Sequence, residues 1–108
     1  MRKQLIRVLA IFLIAGLCQT VAADKAARLV VDNRTKGTAT IQVWRYTGYH
    51  WDWLTVASVP PGRWVPISDV KNGERFRATG IGNSPPSWVV NLRMDKGYGG
   101  LQDVWVLQ

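Results

Sequence analysis

The sequence predicts an all-β fold: a small antiparallel β-sandwich of about seven strands, immunoglobulin-like or a related barrel, behind a cleaved signal peptide. Three observations predict it. Short runs from Arg28 to Leu107 alternate apolar and polar residues, the period of a strand with one face in a core. Clusters of glycine, proline, asparagine and aspartate separate those runs, as turns require. No apolar period of helical type stands out beyond Ala23.

The expected strands are residues 28–32, 39–46, 51–59, 63–67, 75–80, 88–93 and 102–107. Asn33-Arg34-Thr35-Lys36-Gly37 separates the first two, and Thr47-Gly48-Tyr49-His50 folds the second onto the third as a hairpin. Pro60-Pro61-Gly62 ends the third strand. Pro66 has no N–H to give a ladder, so the fourth strand belongs at a sheet edge, with Trp64 as edge packing. Lys71-Asn72-Gly73 precedes the fifth, where Phe76 and Ala78 face inward and Arg75 and Arg77 outward. That arginine pair reads as a solvated face or as a small anion-binding patch. Glycine-rich connections at 80–87 and 95–100 flank the sixth strand, and Gly97, Gly99 and Gly100 around Tyr98 predict a mobile loop. Trp88, Val90 and Leu92 share one face of the sixth, and Trp105 and Leu107 one face of the seventh; these read as packing residues.

The hairpin specifies more. With a four-residue loop at 47–50, one face pairs Arg45 with Asp52, Val43 with Leu54 and Ile41 with Val56. The other pairs Tyr46 with Trp51, Trp44 with Trp53, Gln42 with Thr55 and Thr40 with Ala57. The first face is aliphatic and suits a core, with an Arg45–Asp52 ion pair at its end. The second is aromatic.

Residues 1–23 have the order of a secretory signal peptide: basic Arg2, Lys3 and Arg7, an apolar run from Val8 to Leu17, and Val21-Ala22-Ala23 at the exit. The apolar run is too short to span a bilayer. Residues 24–108 then form a single β-sandwich domain, periplasmic or secreted. The leader takes three basic residues and no acidic one, so the net charge falls from +7 to +4. That balance favours acidic or anionic envelope partners and disfavours an inhibitor of basic cell-wall hydrolases. The scattered basic residues carry no nucleic-acid-binding signature. Cys18 is the only cysteine and lies in the leader, where Leu17 makes it a poor lipid-attachment site. The cysteine-free domain must therefore rely on apolar burial, to which six tryptophans contribute. In a eukaryotic secretory pathway Asn33-Arg34-Thr35 would be a glycosylation acceptor.

Catalytic constellations do not emerge. His50 is the one histidine and sits in a turn, with Asp52 as its nearest acid in sequence. There is no zinc-ligand spacing, nucleophile elbow or phosphate loop. Gly80-Ile81-Gly82 leads into Pro85-Pro86, and Asp69, Glu74, Asp95 and Asp103 are dispersed. The expectation is a non-enzyme without cofactor or metal.

The candidate binding residues are Trp44, Tyr46, Trp51 and Trp53, flanked by Gln42 and Thr55, with Tyr49 from the loop. Indole and phenol rings have apolar faces and one polar edge, so they stack on the C–H faces of sugar rings. Three readings stand together: the rings are core, they stack envelope glycan, or they form a protein interface. The function expected is an exported, non-catalytic glycan-binding module, monomeric or weakly homo-oligomeric. Its alternative is an assembly subunit of the bacterial envelope with the aromatic face covered by a protein partner.

Overall fold

Strand alternation decides which side chains enter the interior, and the computed structural model shows the result for residues 27–108, which it describes. The leader expected over 1–23, with Cys18, lies outside the described residues. Eight strands form: β1 (Ala27–Asn33), β2 (Ala39–Tyr46), β3 (Trp51–Val59), β4 (Trp64–Ser68), β5 (Arg75–Thr79), β6 (Ser87–Val89), β7 (Arg93–Asp95) and β8 (Gly100–Leu107). They build two four-stranded sheets in the orders β4-β1-β8-β7 and β3-β2-β5-β6.

The two inner faces meet in one core. Leu29, Val31, Ile67, Trp105 and Leu107 enter it from the first sheet; Ile41, Val43, Val59, Phe76 and Ala78 enter from the second. This is the arrangement of a β-sandwich. Each large apolar side chain so buried stabilises the fold by about 1.5–3 kcal/mol. Trp88 and Trp105 stack across the sheets with centroids 6.0 Å apart, and the Trp88 Nε1–H donates to Asp103 Oδ2 at 2.8 Å. These two tryptophans are packing residues, as the sequence indicated.

Several expectations are corrected. The sheets are not wholly antiparallel, because β1 pairs β8 in parallel from Ala27↔Leu101 to Asn33↔Leu107. No short turn links these strands, so nothing local constrains their direction. The strand expected at 88–93 divides: β6 stays in the second sheet and β7 joins the first. Between them the N–H groups of Val90, Asn91 and Leu92 donate to Glu74 O, Asp103 Oδ2 and Asn72 Oδ1, outside any ladder. The 95–100 connection, expected to be mobile, is a closed turn: Asp95 Oδ1 accepts from the N–H groups of Gly97 and Tyr98. The edge position expected for the fourth strand does hold: β4 lies at the edge of its sheet, and Trp64 there stands 58% exposed, outside the core.

Asn33, the asparagine of the expected acceptor motif, is fully buried in the folded domain. Its Nδ2 donates to Gly37 O at 2.8 Å and Val59 O at 2.9 Å. Its Oδ1 accepts from the Thr35 N–H at 2.9 Å and the Thr35 hydroxyl at 2.6 Å. The side chain thereby ties the end of β1 to its turn and to the end of β3.

Candidate functional site

The hairpin β2–β3 closes through Thr47, whose N–H donates to His50 O at 2.8 Å. From this loop the ladder runs Tyr46↔Trp51, Arg45↔Asp52, Trp44↔Trp53, Val43↔Leu54 and Gln42↔Thr55, as the loop length predicts. The register then shifts at Ile41/Gln42, so that Ile41 faces Ala57 and Thr40 faces Ser58. Val56 is the extra residue of this bulge. The expected pairs Ile41–Val56 and Thr40–Ala57 are therefore not formed. Leu54 and Val56 are also exposed, not core, because β3 is an edge strand and the seam of the sandwich leaves it open to solvent.

Ile41 and Val43 point into the core; alternation sends Gln42, Trp44 and Tyr46 to the opposite, outer face. There Trp44 is 37% exposed, Tyr46 and Trp51 are each 56% exposed, and Trp53 is half-buried. Trp44 lies nearly parallel to Trp51, with centroids 6.3 Å apart and planes at 19°. It also touches Trp53 at 5.2 Å and 57°, while Tyr46 meets Trp51 edge-on at 5.9 Å. These spacings fall within the range of attractive aromatic pairs. The Gln42 Nε2 donates to Thr55 Oγ1 at 3.2 Å, beside the rings. The structure therefore brings together six of the seven residues selected from the sequence. Tyr49 is the exception: it projects from the loop, 89% exposed, and packs on none of the four rings with a stacking geometry.

One residue of this surface escaped the sequence reading. Arg77 on β5 faces Gln42 across the ladder, and its Nε–H donates to Gln42 Oε1 at 2.7 Å. Its guanidinium carbon sits 4.5 Å from the Trp53 centroid, a cation–π contact. The alternation of Arg75 and Arg77 around Phe76 did place both outward. What the sequence does not disclose is that β5 lies beside β2.

A groove of about 630 Å³ opens next to the rings. Trp44, Tyr46 and Trp51 form one side of it; Lys71, Asn72 and Arg75 line it from the β4–β5 connection and β5. Asp69, also in the groove, holds a φ of 57°, a left-handed conformation that aspartate tolerates. At the base Arg45 does not pair with Asp52. Its Nε donates to Glu74 Oε2 at 2.7 Å and its Nη2 to Glu74 Oε1 at 3.1 Å, a bidentate ion pair. Asp52 instead meets His50 at 3.4 Å.

Partial burial pushes the Glu74 carboxyl up, but the Arg45 hydrogen bond, the Lys71 N–H and both positive charges outweigh it. Glu74 is held below its ordinary range. The same hydrogen bond raises Arg45, against desolvation. Both groups therefore stay charged at neutral pH. Among the described residues, no three His, Cys, Asp or Glu side chains cluster to hold a metal, and no helix is long and apolar enough to cross a membrane.

Comparison of the chain with protein-family models, with curated proteins and with solved structures finds no match.

Proposed function

We propose that this protein is an exported, non-catalytic binding module that stacks glycan on the outer face of its β2–β3 hairpin. One observation carries the proposal: Trp44, Trp51 and Tyr46 present ring surface to solvent on the side of the sheet opposite the core. A ring needed only for folding would be expected to turn inward, as Trp105 does. The row is held rigidly by the ladder beneath it, so little side-chain entropy is lost when a ligand stacks. Gln42, Thr55 and the groove polar groups supply hydrogen-bonding atoms beside the rings, the pairing of apolar face and polar rim that a sugar needs.

Of the groove carboxylates, Glu74 is held in a bidentate ion pair by Arg45, which supports binding over acid–base catalysis. Export to the periplasm or beyond, inferred from residues 1–23, puts the domain where envelope glycan is abundant.

Affinity electrophoresis through gels containing hydroxyethylcellulose, dextran or polygalacturonate tests this function. Retardation by at least one polymer, lost in Trp51→Ala with the fold intact, is the expected result. A protein retarded by none of them, and dimeric until Trp51→Ala dissociates it, belongs instead to the assembly-subunit class.

A further inference from the structure

The outer face of the second sheet divides by charge. β3 and β2 contribute aromatic rings, and β5 contributes Arg75 and Arg77, one step apart on the same side because Phe76 between them is fully buried. Successive outward positions on a strand lie about 6.7 Å apart, and neighbouring strands about 4.8 Å. The two arginines therefore form a cationic rail along the tryptophan row. Arg77 touches that row through Trp53, and Arg75 lines the same groove as Trp44 and Trp51.

Neither arginine has a carboxylate partner: the Arg–carboxylate ion pairs among the described residues are Arg34–Asp32 and Arg45–Glu74. Arg77 spends Nε on Gln42 and keeps its terminal amino groups for another acceptor. Lys71 adds a second positive charge to Arg75 in the groove, against Asp69 as the one acid there outside the Arg45–Glu74 pair. A neutral sugar would leave this rail unused. A polyanion without rings would leave the tryptophans unused.

From this juxtaposition we infer that the module takes an acidic glycan, one whose stacked rings carry carboxylate or sulfate groups. The rings lie on Trp44 and Trp51, and the anionic substituents point toward Arg75 and Arg77. A planar guanidinium donates two parallel N–H bonds to such a group, and the aromatic floor beside it excludes water from one side. The inference rests on the stacking function proposed above and narrows it to a ligand class.

Two matched pairs of polymers separate charge from stacking: polygalacturonate against its methyl ester, and dextran sulfate against dextran. Polyglutamate serves as an anion without rings. The protein is measured by affinity electrophoresis beside Arg75→Gln, Trp51→Ala and Lys96→Gln, the last removing one charge from the distant β7–β8 turn. The expected result is at least about tenfold tighter binding to the acidic member of one pair, with little for polyglutamate. Arg75→Gln erases about that factor toward the acidic polymer and weakens binding to the neutral one far less; Lys96→Gln changes neither.

Equal affinity within both pairs overturns the acidic class and leaves stacking standing. Equal affinity for polyglutamate, or equal losses in Arg75→Gln and Lys96→Gln, overturns it in favour of unspecific ion exchange. Failure to bind any of the four polysaccharides overturns this inference together with the stacking function. Circular dichroism of each variant confirms that loss of binding is not loss of fold. Should Arg75→Gln fail to fold, the salt dependence of wild-type binding to the matched pairs decides. A loss at high salt for the acidic member alone agrees with the inference, and parallel losses overturn it.

Discussion

The guanidinium of Arg77 lies 4.5 Å from the ring centroid of Trp53 while its Nε–H holds Gln42 at 2.7 Å. One cation thus fixes both a tryptophan and an amide on a surface that the core does not need. Removing the cation in Arg77→Gln leaves Trp53 without its cover. Acrylamide quenching of tryptophan fluorescence should increase, while the unfolding midpoint falls by no more than about 1 kcal/mol in stability, the scale of a half-exposed cation–π contact. Unchanged quenching would mean that the arginine does not order the ring.

Tryptophans on the outer face of the second sheet and in the core between the sheets should differ sharply. Trp51→Ala removes an exposed ring and should cost about 1 kcal/mol or less. Trp105→Ala empties a buried site between the sheets and should cost about 3–5 kcal/mol. Urea denaturation of both variants measures the contrast. Similar costs would place Trp51 in the structural framework and out of the binding surface.

Asn33 is the buried polar group on which two turns converge. In Asn33→Ala the carbonyls of Gly37 and Val59 lose a shared donor, and Thr35 loses its acceptor. Buried groups left unpaired cost about 1–3 kcal/mol, so a loss of about 2–4 kcal/mol is expected from chemical denaturation. A loss below about 1 kcal/mol would show that water takes over these bonds.

Glu74 makes the stability depend on pH in a known direction. Its proton affinity is lower in the folded protein than in the unfolded chain. The unfolded state therefore binds more protons as the pH falls past about 4.3, the ordinary carboxylate value. The stabilisation by Arg45 is complete above that pH and is lost as the pH drops through the lower folded value. Glu74→Gln should cost about 1 kcal/mol at pH 7, kept small because Arg45 is partly in water. The gap from wild type should narrow as the pH falls below about 4.3. A constant gap across that range would contradict the ion-pair account.

The legible part of this molecule is what one strand or one turn determines. The alternation of Ile41, Val43 and Arg45 with Gln42, Trp44 and Tyr46 assigns their faces before any partner is known. Four residues at 47–50 fix the register as far as Gln42 and Thr55, and both were recovered. The bulge at Val56 was not, because an extra residue in an edge strand leaves no mark in composition. Nor was the parallel β1–β8 pairing, which joins chain ends about seventy residues apart (Leu29 to Asp103) with no turn to set direction. Arg45 found Glu74 and not the Asp52 opposite it for the same reason: β5 lies beside β2 only in three dimensions. The aromatic row could thus be read from the chain, whereas the arginine that completes it and the groove beside it could not.

Residue-resolved oxidative footprinting, with and without the best-retained polysaccharide, tests the glycan-stacking surface most directly. In the free protein Trp44, Trp51 and Trp64 should oxidise while Trp105 stays protected. Saturating glycan should shield Trp44 and Trp51 and leave Trp64, on the other sheet, as reactive as before. Shielding confined to Trp64, or no change at Trp44 and Trp51, would contradict the account.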